Sequence, residues 1–271
     1  MTQREVVAVG ASAGGVEALR ALAAGLPADL PAALLVVLHV PRTAPSALPR
    51  ILNRSGPLPA ATASDGELLR LGRIYVAPAD RHLLLIEDRI RLSRGPAENG
   101  HRPAIDPMFR SVARAVGARC MAVVLSGARD DGAFGAALVA AEGGAVLAQE
   151  PSDALYRSMP QATIARVPGA LTAPAAELGP LIADLLAEDV PAHWRRSAAP
   201  WPVASLLEEQ TEGALWMALR ALEEKSALSR RLAGGRTIRS YRDRFEQVAA
   251  DADQASALIR GLIARLGEHP L

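Results

Sequence analysis

The chain of 271 residues contains a single cysteine, Cys120. An internal disulfide and any cysteine-cluster metal site are thereby excluded. No group of His, Asp and Glu residues has ligand spacing either, so no metal is expected. Cys120 lies in an apolar strand pattern, ARCMAVVLSG, and reads as a small buried hydrophobe rather than a reactive thiol. Lysine is almost missing as well: Lys225 stands alone, and arginine carries the rest of the positive charge as a composition bias. Net charge is only +1, which gives no electrostatic case for nucleic acid as a partner. No apolar run approaches the roughly 18–20 residues of a membrane span, and the longest, AALLVVL at 32–38, reads as a buried strand. No secretory signal is expected either, because the first apolar run stops at Gly10 and feeds straight into a turn. These absences lead to the expectation of a cytoplasmic protein without membrane insertion and without a cofactor.

What is present is a large apolar fraction, 50% of residues, enough to bury a substantial core. Up to about residue 190, strand-like and helix-like segments alternate. REVVAVG, ALLVVLH, ARCMAVVLSG and GGAVLAQE read as strands; GGVEALRALAAGL, TAPSALPRILNRS, AIDPMFRSVARAVG, a segment at 132–141 and AAELGPLIADLLAE read as helices. This alternation predicts a three-layer, doubly wound α/β domain with a mostly parallel sheet. Between 71 and 92 the runs GRIYVAP, HLLLIED and RIRLS are short and separated by polar breaks, which predicts an antiparallel hairpin addition. A proline-rich stretch without periodicity, 189–203, reads as a linker. Beyond it, 204–271 predicts a C-terminal helical hairpin with a coiled-coil-like seam through Ile238, Tyr241, Phe245, Val248, Ala252, Ala255, Ile259, Leu262 and Leu266, turning at Gly234-Gly235.

In a parallel α/β sheet, sites form beyond the carboxyl ends of strands. Ser12 follows the first strand, His39 closes the second, and Asp130-Asp131 follow the third. A serine nucleophile needs a base, and the base needs an acid to hold its tautomer. Gly10-Ala11-Ser12-Ala13-Gly14 fits G-x-S-x-G, the turn that exposes a nucleophile. The competing reading is a phosphate loop. Ser12 would then replace the middle glycine of G-x-G-x-x-G, no acidic residue is clearly placed about 20 residues on, and the Walker lysine is missing. Each candidate also has a plainer role: His39 as a core histidine, His82 as structural, His101 as an exposed loop residue. Arg102 could face the site, and one of Asp130 and Asp131 reads as a helix N-cap.

With these residues assembled, a resemblance emerges. GASAGGVEAL, VVLHVP, DGELLRLGRIYVAPADRHLLL, RPAIDPMFRS, LSGARDDGAFG and AQEPSDALYRSMPQATI occur in order. Residues 4–188 resemble the catalytic domain of the CheB-type protein-glutamate methylesterases of bacterial chemotaxis, which implies a catalytic domain over 1–188. The resemblance implies a triad of Ser12, His39 and Asp131, the last chosen because it directly precedes Gly132. It also implies backbone oxyanion donors at Ala13 and Ala128, and Arg129, Arg102 and Met159 near the substrate. The implied reaction removes methyl esters from glutamates of chemoreceptor cytoplasmic helices, and some members also deamidate glutamines. Two positions depart from the family: Ala13 replaces a threonine, and Arg129 replaces a glycine. They motivate an alternative, a catalytically impaired regulatory or scaffold protein of a chemosensory pathway. Family members commonly carry a receiver domain before this one; with the first strand near residue 4, none is expected here. The stretch ASLLEEQTEGALWMALRALEEKSAL resembles a tail of stand-alone members, where it is often preceded by a cysteine-containing segment that has no counterpart here. That tail implies contacts with a receptor methyltransferase or another chemosensory protein.

Overall fold

The computed structural model describes residues 5–40, 46–187, 215, 219, 222–223, 225–234 and 239–267. They fall into two compact units, Met1–Ala199 and Pro200–Leu271. The first unit is built on β1 (Val6–Ala11), β2 (Ala33–Leu38), β3 (Ala60–Thr62), β4 (Arg73–Val76), β5 (His82–Ile86), β6 (Arg89–Ser93), β7 (Cys120–Val124), β8 (Ala145–Gln149) and β9 (Leu171–Ala173). Its helices are α1 (Gly15–Ala24), α2 (Leu48–Ser55), α3 (Ile105–Val116), α4 (Ala133–Ala141), α5 (Ser158–Arg166) and α6 (Ala175–Ala187). The seven-stranded sheet runs β3-β4-β2-β1-β7-β8-β9, with every pairing parallel. Its central strands read as unbroken apolar runs because both faces are covered.

Alternate residues of β1 feed two cores. Val7, Val9 and Ala11 pack with α1, α2 and α6 on one face, while Val6 and Ala8 pack with α3, α4 and the β5–β6 hairpin on the other. This is the expected three-layer, doubly wound sheet. β1 sits in the middle: the chain moves from it to β2 on one side and later returns to β7 on the other. The carboxyl ends of β2, β1 and β7 therefore open onto one crevice, where such folds place their sites.

The segment 71–92 differs from expectation. Only β5 and β6 form the antiparallel hairpin. GRIYVAP instead supplies β4, which runs parallel to β2 with Leu34↔Ile74 and Val36↔Val76 in register. Tyr75 and Val76 are buried in it, the pattern of an interior parallel strand rather than a solvated hairpin arm. Three elements, β3, β9 and α5, were not anticipated. β3 and β9 have three residues each, too few to show a period.

In the second unit, residues 225–234 and α7 (Arg239–Gly267) are helical. Ser226 donates to Asp253 at 2.7 Å, Arg230 pairs with the same carboxylate, and Glu223 pairs with Arg260 at 3.3 Å. That pairing order sets the two helical segments antiparallel. The buried stripe is narrower than expected: Ala249, Ala252 and Ser256 are buried, whereas Tyr241 and Leu262 are exposed. The expected linker 189–203 lies outside the described residues. Among the described residues, no helix is long and apolar enough to cross a membrane.

Candidate active site

The turn after β1 lifts Ser12 out of the sheet. The Ser12 N–H donates to the Ser126 carbonyl beyond β7 (2.9 Å), and the Ser12 carbonyl accepts from Gly15 N–H (2.9 Å). Gly14 closes the turn with φ 71°, a left-handed conformation that disfavours any other residue. A Cβ there would lie 2.7 Å from Ser126 Oγ. That hydroxyl donates to the Ala13 carbonyl (2.8 Å) and accepts from Tyr156 N–H (3.0 Å), tying the turn to the loop after β8.

His39 follows β2, and its N–H donates to the Ala11 carbonyl at 3.1 Å. Its Nδ1 lies 3.0 Å from Ser12 Oγ and its Nε2 lies 2.8 Å from Asp131 Oδ2. With Nε2–H donating to the carboxylate, the Nδ1 lone pair faces the serine hydroxyl, which is the tautomer a base needs. Asp131 is 2% exposed. Beyond His39, it accepts from Ile105 N–H (2.8 Å), Asp106 N–H (3.1 Å) and Asn99 Nδ2 (2.8 Å). Burial alone would raise its pKa. The hydrogen bonds from His39, Ile105 and Asn99 and the charge of His39 outweigh that and bring it down to about 2.

Asp131 precedes α4 yet caps α3, while Asp106 of α3 caps α4 through Gly132 N–H (3.1 Å) and Gly135 N–H (2.7 Å). The two helix N-termini thus exchange carboxylates, each meeting the positive end of the other's helix. This corrects the simple N-cap reading of Asp130-Asp131: Asp130 is exposed, and Asp131 caps the neighbouring helix. Asn99 Nδ2 bridges the pair, also donating to Asp106 Oδ2 at 3.0 Å. Burial and the adjacent Asp131 charge push Asp106 up to about 7, against hydrogen bonds from Gly135 and Asn99.

Asn99 reaches this position from a two-residue turn. Glu98 and His101 exchange backbone hydrogen bonds of 3.1 and 2.8 Å around Asn99 (φ 51°) and Gly100 (φ 82°). Asn-Gly is the sequence best suited to such a left-handed turn. Arg110 anchors it by a two-point pair with Glu98, 2.9 and 2.8 Å. The same turn lays His101 flat on His39, ring centroids 3.7 Å apart and planes within 9°. His101 is therefore not a free loop side chain. Burial and the nearby His39 hold its pKa below the usual histidine value.

Ser12, Ala13, His39, Val40, Gly100, His101 and Arg102 line a depression of about 510 Å³. Arg102 stands at its wall, but its guanidinium is engaged by Asp80 (2.6 Å) and the Gly95 carbonyl (2.8 Å). Ala128 and Arg129 are exposed on the loop after β7, Arg129 with φ 67°. Met159 is fully buried, its sulfur under Gly127, and does not line the depression. His82 is structural: it is buried, with Nε2 donating to the Pro96 carbonyl at 2.8 Å. Among the described residues, no group of His, Cys, Asp or Glu could hold a metal ion. The sequence reading overlooked Asn99, Asp106 and Ser126 as supports of the site. Only the Asn-Gly turn signal could have pointed to the first.

The fold and site together define a class: a doubly wound α/β domain with a hydrogen-bonded Ser–His–Asp line where the strand order reverses. The family model for CheB methylesterase matches residues 7–182, and the chain belongs to that family. It is 36% identical over 203 residues to protein-glutamate methylesterase/protein-glutamine glutaminase 1 of Rhodospirillum rubrum, covering 72% of this chain and 49% of the relative. To the number 3 protein of the same name from Anaeromyxobacter dehalogenans it is 46% identical over 159 residues, covering 58% and 46%. The crystal structure of the Thermotoga maritima CheB methylesterase catalytic domain superposes with a TM-score of 0.64 at 29% identity, covering 67% of this chain and 98% of that one. The chain spans about half the length of the curated relatives it matches.

Proposed function

We propose that this chain is a serine hydrolase that removes methyl esters from glutamate side chains of chemoreceptor-type proteins in the cytoplasm, with residues 1–188 as its catalytic domain. The observation that supports this most is the Ser12–His39–Asp131 line, with spacings of 3.0 and 2.8 Å. His39 Nδ1 takes the Ser12 proton as Oγ attacks the ester carbonyl, and the protonated ring is held by the ionised Asp131. Collapse of the tetrahedral species breaks the bond to methoxide, which leaves as methanol with the proton from His39. Water, deprotonated by His39, then cleaves the acyl-serine and returns a glutamate carboxylate and free Ser12. A glutamine side chain on the same path would release ammonia, in keeping with the relatives' second named activity. Ala13 lines the depression beside Ser12, and its N–H is assigned, with that of Ala128, as a donor to the developing oxyanion.

The substrate assignment rests on family membership, and the helical hairpin is assigned contact with a methyltransferase or another chemosensory protein. The test is methanol release from methylated receptor by wild type and Ser12→Ala. The variant is expected to lose at least about 10⁴-fold in rate, as nucleophile removal does in serine hydrolases. Full activity in Ser12→Ala would overturn the mechanism. A scaffold role is not favoured, because all three side chains stand in hydrogen-bonded register.

A further inference from the structure

We infer that His101 is a positioning residue for the base: its ring, delivered by the Asn99-Gly100 turn, holds the His39 imidazole edge-on between Ser12 and Asp131. The inference rests on the hydrolase reading above. His39 has two working edges, Nδ1 toward Ser12 and Nε2 toward Asp131. Rotating the ring by half a turn about Cβ–Cγ would put carbon atoms where the nitrogens stand, and smaller tilts lengthen both hydrogen bonds. Two in-plane contacts do not prevent tilting; a flat surface on one face does. His101 supplies that face at 3.7 Å and 9°.

The support behind His101 is built rather than incidental. Glu98 is clamped by Arg110, the Glu98–His101 bridge closes both backbone bonds, and Asn99 pins the same turn to Asp131 and Asp106. One four-residue turn therefore touches the acid through Asn99 and the base through His101. Burial, the neighbouring His39 and the Arg129 charge favour the neutral form of the His101 ring, against the attraction of Asp131. A neutral aromatic face beside a histidine that gains a proton is attractive, whereas a second cation would repel it.

The test compares His101→Ala, which removes the face, with His101→Phe, which keeps a flat ring without nitrogens. The readouts are steady-state methanol release, the rate of Ser12 labelling by a fluorophosphonate, and the His39 ring tautomer by ¹⁵N NMR. For His101→Ala, kcat is expected to fall about 10- to 100-fold with KM changed less than about twofold, the scale of a misaligned reacting group. Fluorophosphonate labelling should slow in parallel, and the His39 resonances should shift from one Nε2–H species to a mixture. His101→Phe should restore most of the rate and the single tautomer. A His101→Ala protein that labels and turns over like wild type, or a His101→Phe protein as impaired as His101→Ala, would overturn the inference. If wild type itself resists the fluorophosphonate, the hydrolase reading fails instead, and the NMR comparison still decides whether His101 orients His39.

Discussion

At the scale of single residues, Asp131 and Asp106 carry opposite pH signatures from nearly the same place. Asp131 titrates at about 2, below its ordinary 3.8. It contributes stability that is fully present above about 4 and lost as pH falls toward 2. Asp106 is raised from 3.8 to about 7. The folded protein therefore binds more protons than the unfolded chain between those values, and stability declines as pH rises from about 4 to 7. The predicted outcome is a wild-type thermal midpoint that drops between pH 5 and pH 8. In Asp106→Asn that decline should flatten, because the side chain no longer ionises. The variant should also be less stable throughout, by about 1–3 kcal/mol, since its new amide N–H groups face Asn99 Nδ2 rather than an acceptor. Thermal melts of both proteins across that range check it, and an Asp106→Asn slope equal to wild type would count against Asp106 as the titrating group.

At the scale of elements, the site depends on how closely α3 approaches β1. The added Cβ of an alanine at position 10 would lie 2.4 Å from Ile105 Cγ2. Gly10 thus lets the first turn of α3 rest on the end of β1, where Ile105 N–H reaches Asp131. Gly10→Ala is predicted to destabilise by about 1–3 kcal/mol through overpacking. It should also slow fluorophosphonate labelling of Ser12, because α3 carries the donors that hold Asp131. Urea unfolding and labelling rates measure the two effects, and loss of stability with no change in labelling would show that the triad does not depend on this contact. The same contact shows what a sequence can and cannot disclose. Ser12, His39 and Asp131 were legible because each ends or follows a long apolar run, and strand ends in a parallel sheet converge. Asp106 was legible only as a residue near a helix start, since its partners Gly132 and Gly135 lie far along the chain. Met159 is expected near the substrate only from the motif it belongs to, while its side chain turns under Gly127 into the core. GRIYVAP reads in sequence as a hairpin arm because short runs in succession suggest one, and only pairing with β2 separates it.

At the scale of the whole molecule, the first unit carries its own core. Both hydrophobic clusters draw on residues between Val6 and Leu186, on the two faces of one sheet. Among the described residues, every hydrogen bond of the Ser12–His39–Asp131 line and of its Asn99, Ile105 and Asp106 supports lies within that span. The hairpin of the second unit contributes its own pairing, Ser226 and Arg230 with Asp253. A protein ending at residue 199 is therefore expected to fold cooperatively and to label at Ser12 within about threefold of the full chain. Activity on methylated receptor is the separate measurement. If the hairpin serves as a docking element, truncation should raise KM for receptor while leaving labelling unchanged. A tenfold drop in labelling would instead mean that the hairpin shapes the triad, and equal receptor kinetics for both proteins would remove it from substrate docking.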